Sequence, residues 1–280
     1  GAPIYELMGG VYRNKIRIYG HCWGATTEKI ITRALERQQK GFTAIKILLE
    51  PFTANRGVKS YIEGQIARFA QIREAVGDEM DIAIDFHGRI NPDMAIQIID
   101  GLTPYRPLFV EEACLPENIE AMGLIAQKSL LPLATGERLV TRFGIKNLLE
   151  SHAVSVIQPD LCHAGGIAEV RRMAAMAETY YVKVAPHNPL GPISLAANIQ
   201  LAACTPNFLI CEHFGMKEEW DIGSGYLKTP FVIENGYITI PTTPGLGIEV
   251  DEEVIAERTY PGDWDSPRLY TDDDVTIVDW

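Results

Sequence analysis

The chain has 280 residues, of which 46% are hydrophobic, and this is enough for one large domain or for a large domain with a small one. The 37 acidic residues outnumber the 25 basic ones and give a formal charge of -12, with no basic cluster interleaved with aromatics, so neither a nucleic acid nor a membrane is expected as a partner. The five cysteines include no C-x-x-C pair, so they indicate neither a disulfide framework nor a zinc knuckle.

The N-terminal segment, residues 1–14, precedes the first strand-like run and is predicted to be a linker. Its sequence GAPIYELMGG lacks a basic region followed by an apolar stretch, and no apolar run in the chain approaches membrane-spanning length. We therefore expect a cytoplasmic protein.

From Lys15 onwards, strand-like runs rich in branched residues alternate with segments of helical period. The eight runs are residues 15–22, 44–50, 81–87, 107–113, 132–138, 155–160, 182–187 and 208–214. Two of the intervening segments carry helix-start signals: TTEKIITRALERQQKG has an N-terminal Thr cap and a Gly stop, and NPDMAIQIIDGL has Asn91 as its cap with Pro92 next. This alternation predicts an α/β fold, and eight repeats favour a (β/α)₈ barrel. No G-x-G-x-x-G follows a strand, which weakens the alternative of a dinucleotide-binding sheet.

The last part of the chain changes character. It becomes rich in Gly and Pro, with TPGLGIEVDEE followed by an acidic tail that carries Trp264 and Trp280. The predicted organisation is therefore a linker in residues 1–14, a catalytic barrel in residues 15–214, and a segment that wraps or caps the barrel in residues 215–280.

Three carboxylates, Asp85, Glu111 and Glu137, stand at equal intervals of 26 residues, and each closes a short apolar run. In such barrels the active site forms at the C-terminal ends of the strands, where these side chains would meet. Oxygen ligands of this kind suit Mg²⁺, and Mn²⁺ accepts the same set. Glu112 competes with Glu111 for the ligand role, but Glu111 keeps the spacing in register. The sequence therefore predicts a metal site.

An acid–base pair is predicted at the sixth and seventh strand ends, where Asp160 and His187 are neighbours. A carboxylate beside an imidazole raises its basicity and fixes its tautomer, as a general base requires. His87 lies two residues after Asp85, so strand alternation would point both side chains towards the barrel axis. Glu212 lies near the end of the eighth run and continues the series. A single acid at a strand end has a bland explanation as a helix cap, but the repeated phase argues against coincidence.

Four further residues are candidates for substrate binding: His21, Trp23, Lys46 and Arg89. Lys46 lies in the middle of its run, and its side chain either contributes to the barrel mouth or reaches outward to solvent. Arg89 could pair with a substrate carboxylate or with the ligand acids. His21 either contacts the substrate or supports its neighbours.

Several motifs together resemble one family: DFHGR from Asp85, EE at Glu111, GER from Gly136, QPDLCHAGGI from Gln158, APHNPLGPIS from Ala185, and the closing TPGLGIEVD. They resemble the mandelate racemase branch of the enolase superfamily, and most closely its D-galactonate dehydratase-like sugar acid dehydratases. The resemblance extends over roughly residues 5 to 250.

The resemblance implies a modified (β/α)₇β barrel with one Mg²⁺ and a set of site residues. The implied roles are Asp85, Glu111 and Glu137 as metal ligands, His187 as the base assisted by Asp160, His87 as the acid on the opposite side, and Glu212 as a hydrogen-bonding acid near the substrate carboxylate. Racemases of this branch carry a Lys-x-Lys pair on the second strand, whereas here the stretch reads Lys46-Ile47-Leu48. A racemase with a lysine base is therefore disfavoured.

Two departures from the family pattern are visible. Ala113 stands where a proline commonly follows the paired glutamates. The family also has an N-terminal capping domain, which we expect to be missing from this chain because the chain starts at a linker-like segment.

The function implied is Mg²⁺-dependent elimination of water from a sugar acid such as an aldonate, by removal of the C2 proton and loss of the 3-hydroxyl, to give a 2-keto-3-deoxy acid. The alternatives are a sugar acid epimerase or racemase, a cycloisomerase using the same site, and a non-catalytic barrel fragment. A homo-oligomer is expected because barrels of this branch are often multimers.

Overall fold

The computed structural model describes residues 1–53, 56–213, 222–258 and 262. The strands are β1 Lys15–His21, β2 Ala44–Leu48, β3 Asp81–Asp85, β4 Val110–Glu111, β5 Leu133–Thr135, β6 Val156–Ile157, β7 Lys183–Val184, β8 Cys211–His213, β9 Ile233–Glu234 and β10 Tyr237–Thr239. The α-helices are α1 Ile4–Leu7, α2 Thr27–Gln39, α3 Val58–Val76, α4 Pro92–Leu102, α5 Ile119–Lys128, α6 Thr141–Glu150, α7 Gly166–Glu178, α8 Pro192–Ala203 and α9 Glu252–Glu257.

The first eight strands form a closed parallel barrel. Strands β1 to β7 follow one another in chain order, and β8 pairs with β1. The remaining gap closes where Val184 of β7 forms a parallel bridge with Phe208 and its N–H donates to the Asn207 carbonyl at 3.0 Å. The predicted barrel is confirmed, and each strand lies within its predicted run, although the strands are shorter. Phe214, the last residue of the eighth run, lies outside the described residues.

The two helices with predicted caps begin where the sequence predicts. The Thr26 side chain accepts a hydrogen bond from the Lys29 N–H at the start of α2, and Asn91 accepts from the Met94 N–H at the start of α4. Each cap satisfies one of the backbone donors that a helix start leaves without an intrahelical partner. The helices then pack against the outside of the barrel through buried residues such as Ile30, Phe69 and Ile98.

The barrel interior begins with a layer of apolar side chains, one from each predicted run. This apolar layer consists of Tyr19, Ala44, Ala83, Phe109, Ala134, Val156, Ala185 and Ile210. Side chains alternate along a strand, so wherever the strand continues, the residue two positions further on extends the same inner side towards the C-terminal end. These residues, here called the polar layer, are His21, Lys46, Asp85, Glu111, Gly136, Gln158, His187 and Glu212. Five members of this layer are joined by hydrogen bonds and ion pairs around the Lys46 ammonium: His21, Lys46, Asp85, Glu111 and Glu212.

A hairpin from the predicted C-terminal segment extends the sheet beside β1. Strand β10 pairs antiparallel with the first half of β1, from Lys15 opposite Thr239, and β9 pairs with β10. Asn235 and Gly236 connect the two strands with positive φ angles of 50° and 75°, as a two-residue hairpin turn requires. Because the hairpin pairs only with the first half of β1, it does not pair with the C-terminal end of that strand. No helix in the described part of the chain is long and apolar enough to cross a membrane.

We expect Gly136→Ala to lower the free energy of unfolding by about 2 kcal/mol. Gly136 has a φ of 144°, and a Cβ there would lie 2.8 Å from the backbone nitrogen of Gln158, which cannot move without disturbing β6. The control is Gly123→Ala in α5, where an added Cβ meets nothing within 4 Å. Urea denaturation should show the first variant destabilised and the second unchanged or slightly more stable. Equal stability of the two variants would contradict the expectation.

Candidate active site

Lys46 lies at the centre of the polar layer and faces the barrel interior. Its Nζ is 2.7 Å from Oε1 of Glu212, 3.0 Å from both carboxylate oxygens of Glu111, and 3.5 Å from Oδ2 of Asp85. Burial alone would lower the pKa of Lys46, but Glu111 and Glu212 outweigh it and hold the pKa well above its ordinary value. Lys46 is therefore an internal cation in contact with three carboxylates. The structure decides between the two orientations that the sequence left open.

Glu212 is occupied by donors from the protein itself. Its Oε1 is 2.6 Å from Nε2 of His21 and also faces Lys46, while its Oε2 accepts from the Asn188 N–H. Burial would raise the pKa of Glu212, but Lys46 and the hydrogen bond from His21 hold it well below its usual range. Glu212 thus faces Lys46, His21 and the Asn188 N–H, and its role near the substrate carboxylate stays a prediction.

The three predicted metal ligands lie at adjacent strand ends. Asp85 and Glu111 are opposite each other across β3 and β4, and both are buried, whereas Glu137 follows Gly136 just beyond β5. Burial, followed by the charge of Asp85, raises the pKa of Glu111 well above its ordinary value despite Lys46 nearby. One ammonium therefore does not fully offset the negative charge of this cluster.

Within the described residues, no group of three His, Cys, Asp or Glu side chains is already arranged to hold a metal ion. Lys46 instead engages both oxygens of Glu111 and faces Asp85. The donor set nevertheless fits a hard divalent cation, because it consists of carboxylates with excess negative charge. Asp85, Glu111 and Glu137 remain the side chains that would hold it.

The equal spacing of the carboxylates does not mean equal positions on the strands. Asp85 and Glu111 belong to the polar layer, but on the fifth run that position is Gly136, and Glu137 comes one residue later. Asp160 similarly comes two residues after Gln158. Both residues nevertheless reach His187, Asp160 at 2.8 Å and Glu137 at 3.5 Å, which sequence phase alone does not predict.

His187 and Asp160 form the predicted pair. Nδ1 of His187 is 2.8 Å from Oδ2 of Asp160, and its Nε2 is 3.5 Å from Oε2 of Glu137. The other Asp160 oxygen accepts from the Cys162 N–H at 2.7 Å, which fixes the carboxylate. Burial acts to lower the pKa of His187, but the bond to Asp160 and the charges of Glu212 and Glu137 raise it to about 9. The ring thus presents Nε2 towards the carboxylate cluster.

The strand argument for His87 is wrong. Strand β3 ends at Asp85, and His87 has a φ of 57°, so the alternation of a strand no longer applies to it. Its N–H donates to Oδ1 of Asp85 at 2.8 Å, and its carbonyl accepts from Arg138 at 3.2 Å. The backbone of His87 therefore helps to orient Asp85, and an acid role for its ring rests on the family resemblance.

The remaining predicted residues contact neighbouring parts of the barrel. Trp23 packs beside His21, with their ring centroids 4.9 Å apart, and Arg89 donates to the Leu49 carbonyl at 3.2 Å. Glu112 receives a hydrogen bond from Thr135 and lies 3.3 Å from Arg138, so it braces neighbouring strands beside the site. Burial is the main cause that raises the pKa of Glu112, to about 7.

Two residues of the site were missed from the sequence. Asn188 provides the backbone donor to Glu212, and Gln158 occupies the sixth position of the polar layer. Gln158 could have been found, since it stands two residues after the inward-facing Val156.

A cavity of about 690 Å³ lies elsewhere, along residues 229–249, and no member of the polar layer lines it.

Comparison with known proteins gives a consistent result. The family model described as enolase C-terminal domain-like matches residues 29–254. D-galactonate dehydratases from Ralstonia pickettii and Ralstonia nicotianae are 39% and 38% identical to the chain, which is matched over its full length and covers 74% of each protein. A mandelate racemase/muconate lactonizing enzyme-like protein from Rubrobacter xylanophilus superimposes with a TM-score of 0.88 at 31% identity, over 94% of this chain and 73% of that one.

Proposed function

The chain belongs to the enolase C-terminal domain-like family, and we propose that it is a Mg²⁺-dependent dehydratase that converts a sugar acid into a 2-keto-3-deoxy acid. The observation that carries the proposal is the hydrogen-bonded pair of Asp160 and His187, whose Nε2 faces Glu137 at 3.5 Å. A base beside carboxylates that can hold a divalent cation is the arrangement needed to remove a proton next to a carboxylate group of the substrate.

His187 would remove the C2 proton through Nε2. The hydrogen bond from Nδ1 to Asp160 fixes the tautomer that leaves Nε2 free to accept, and Asp160 stabilises the imidazolium that forms. Glu137 is one of the charges that raise the pKa of His187, so neutralising Glu137 favours the basic form of the ring. His87 would act as the acid that protonates the departing 3-hydroxyl, as the resemblance implies.

Asp85, Glu111 and Glu137 would hold the metal, which when bound supplies positive charge to stabilise the negative charge that develops on the substrate carboxylate. Lys46 does not compete with His187 as a base, because three carboxylates surround its ammonium and raise its pKa. Its contacts with Glu111 and Glu212 place positive charge beneath the site. A single base is what an elimination requires, whereas a racemase of the lysine type needs a second one.

A screen of aldonate and aldarate diastereomers with Mg²⁺ tests the proposal. D-galactonate is the first candidate, because two relatives matched over the full chain are D-galactonate dehydratases. We expect 2-keto-3-deoxy acid from at least one diastereomer, and we expect EDTA to abolish its formation and added Mg²⁺ to restore it. Keto acid is quantified by its semicarbazone absorbance.

Two outcomes would reject the proposal. Solvent deuterium at C2 of recovered, inverted substrate without keto acid would identify an epimerase. Absence of any reaction across the library, together with no Mg²⁺ binding by calorimetry, would favour a non-catalytic barrel.

A further inference from the structure

Gln158 is a buried polar side chain without a hydrogen-bond partner among the residues that the structure describes. Its exposed fraction is 1%, yet neither its amide oxygen nor its amide nitrogen is paired within these ranges. Within the described chain, it is the buried amide for which both polar atoms lack one. Burying such a group is unfavourable, and native proteins nearly always satisfy it. A side chain kept in this state needs an explanation outside the fold itself.

The position of Gln158 offers an explanation for its buried, unpaired amide. Its N–H donates to the Thr135 carbonyl at 3.0 Å, so it continues the ladder between β5 and β6 and keeps the inward side of Val156. The neighbouring strand β5 leads to Glu137, and Asp160 stands two residues after Gln158 in the sequence. Gln158 therefore lies between the candidate metal ligand and the acid–base pair.

Its chemistry differs from that of its neighbours. Asp85, Glu111 and Glu137 are carboxylates, which only accept hydrogen bonds when ionised, and Lys46 is already engaged by three of the carboxylates around it. A primary amide both donates and accepts without carrying charge. A hydroxyl group can accept from the amide nitrogen and donate to the amide oxygen of one side chain, so the uncharged hydroxyls of a polyhydroxy acid match Gln158.

We propose that Gln158 binds a hydroxyl group of the sugar acid substrate and contributes to the choice of diastereomer. This inference rests on the proposed dehydratase function and adds a residue to its substrate site. Substrate binding satisfies the amide that the protein leaves without a partner. Removing the amide should therefore weaken substrate binding while relieving the unliganded protein of a buried polar group.

The test is Gln158→Met, which keeps the length of the side chain and removes its hydrogen-bonding atoms. With the diastereomer that the wild type converts best, we expect kcat/KM to fall about tenfold, mainly through a higher KM, because a contact made equally in ground and transition states affects KM. In thermal denaturation without substrate, we expect Tm to rise by about 2 °C.

Gln200→Met is the matched control. Gln200 is equally buried, but it accepts from the Tyr5 N–H and donates to the Leu246 carbonyl, both at 3.1 Å, on α8 outside the barrel. We expect this variant to lose Tm and keep its KM. An unchanged KM in Gln158→Met, or a Tm lowered as in Gln200→Met, would overturn the inference. Failure of the dehydratase function would show instead in the wild type, which would form no keto acid from any sugar acid.

Discussion

His187→Asn is expected to reduce the turnover of the preferred sugar acid by about 10³-fold or more. Asparagine retains a polar group near Asp160 but has no basic nitrogen to place where Nε2 of His187 now faces Glu137. The loss should appear in kcat as well as in kcat/KM, since the missing group acts in the transition state. Steady-state formation of 2-keto-3-deoxy acid with saturating Mg²⁺ measures it.

His152→Asn serves as the control for that variant. His152 is exposed in the turn that follows α6, and its φ of 52° is a conformation that asparagine adopts readily. We expect wild-type turnover and unchanged stability.

His87→Asn should lose elimination while C2 hydrogen exchange in deuterated water persists, because His187 is intact. If neither His187→Asn nor His87→Asn altered turnover, the assigned acid and base roles would be wrong.

Lys46→Met is expected to destabilise the metal-free protein by about 3–5 kcal/mol. The variant keeps the buried volume but leaves Glu111, Glu212 and Asp85 without the ammonium that now lies within 3.5 Å of each. An unpaired buried charge is far less favourable than a paired one, and the effect corresponds to a fall in Tm of about 6 °C or more. Calorimetry in EDTA at neutral pH measures it, and added Mg²⁺ should raise the Tm of the variant more than that of the wild type.

Lys183→Met provides the comparison for Lys46→Met. Lys183 is an exposed lysine of β7, so its replacement removes the same charge from solvent and should change Tm little. If the two variants melted together, the internal ammonium would not be a major contributor to the stability of the barrel. A fall in Tm restricted to Lys46→Met supports the arrangement described for the polar layer.

The sequence determined the barrel and the chemical type of its site. Eight short branched runs separated by capped helices predict parallel strands, because hydrophobic period and capping act locally and each repeat carries its own signals. The polar residues after those runs follow from the rule that strand ends in a barrel meet at one face. Asp160 and His187 were paired on that basis, and the structure brings them to 2.8 Å.

Only the tertiary structure decided which polar groups engage one another. Whether Lys46 faces inward depends on the closed barrel, which also brings His21 to Glu212 across 191 positions of sequence. The positions of His87 and Glu137 depend on backbone turns beyond the last strand residue, where alternation stops. That the Gln158 amide has no hydrogen-bond partner among the described residues is visible only in the folded structure. Local sequence pattern specifies the strands, whereas hydrogen-bond partners are set by long-range packing, and that is why the site required the fold.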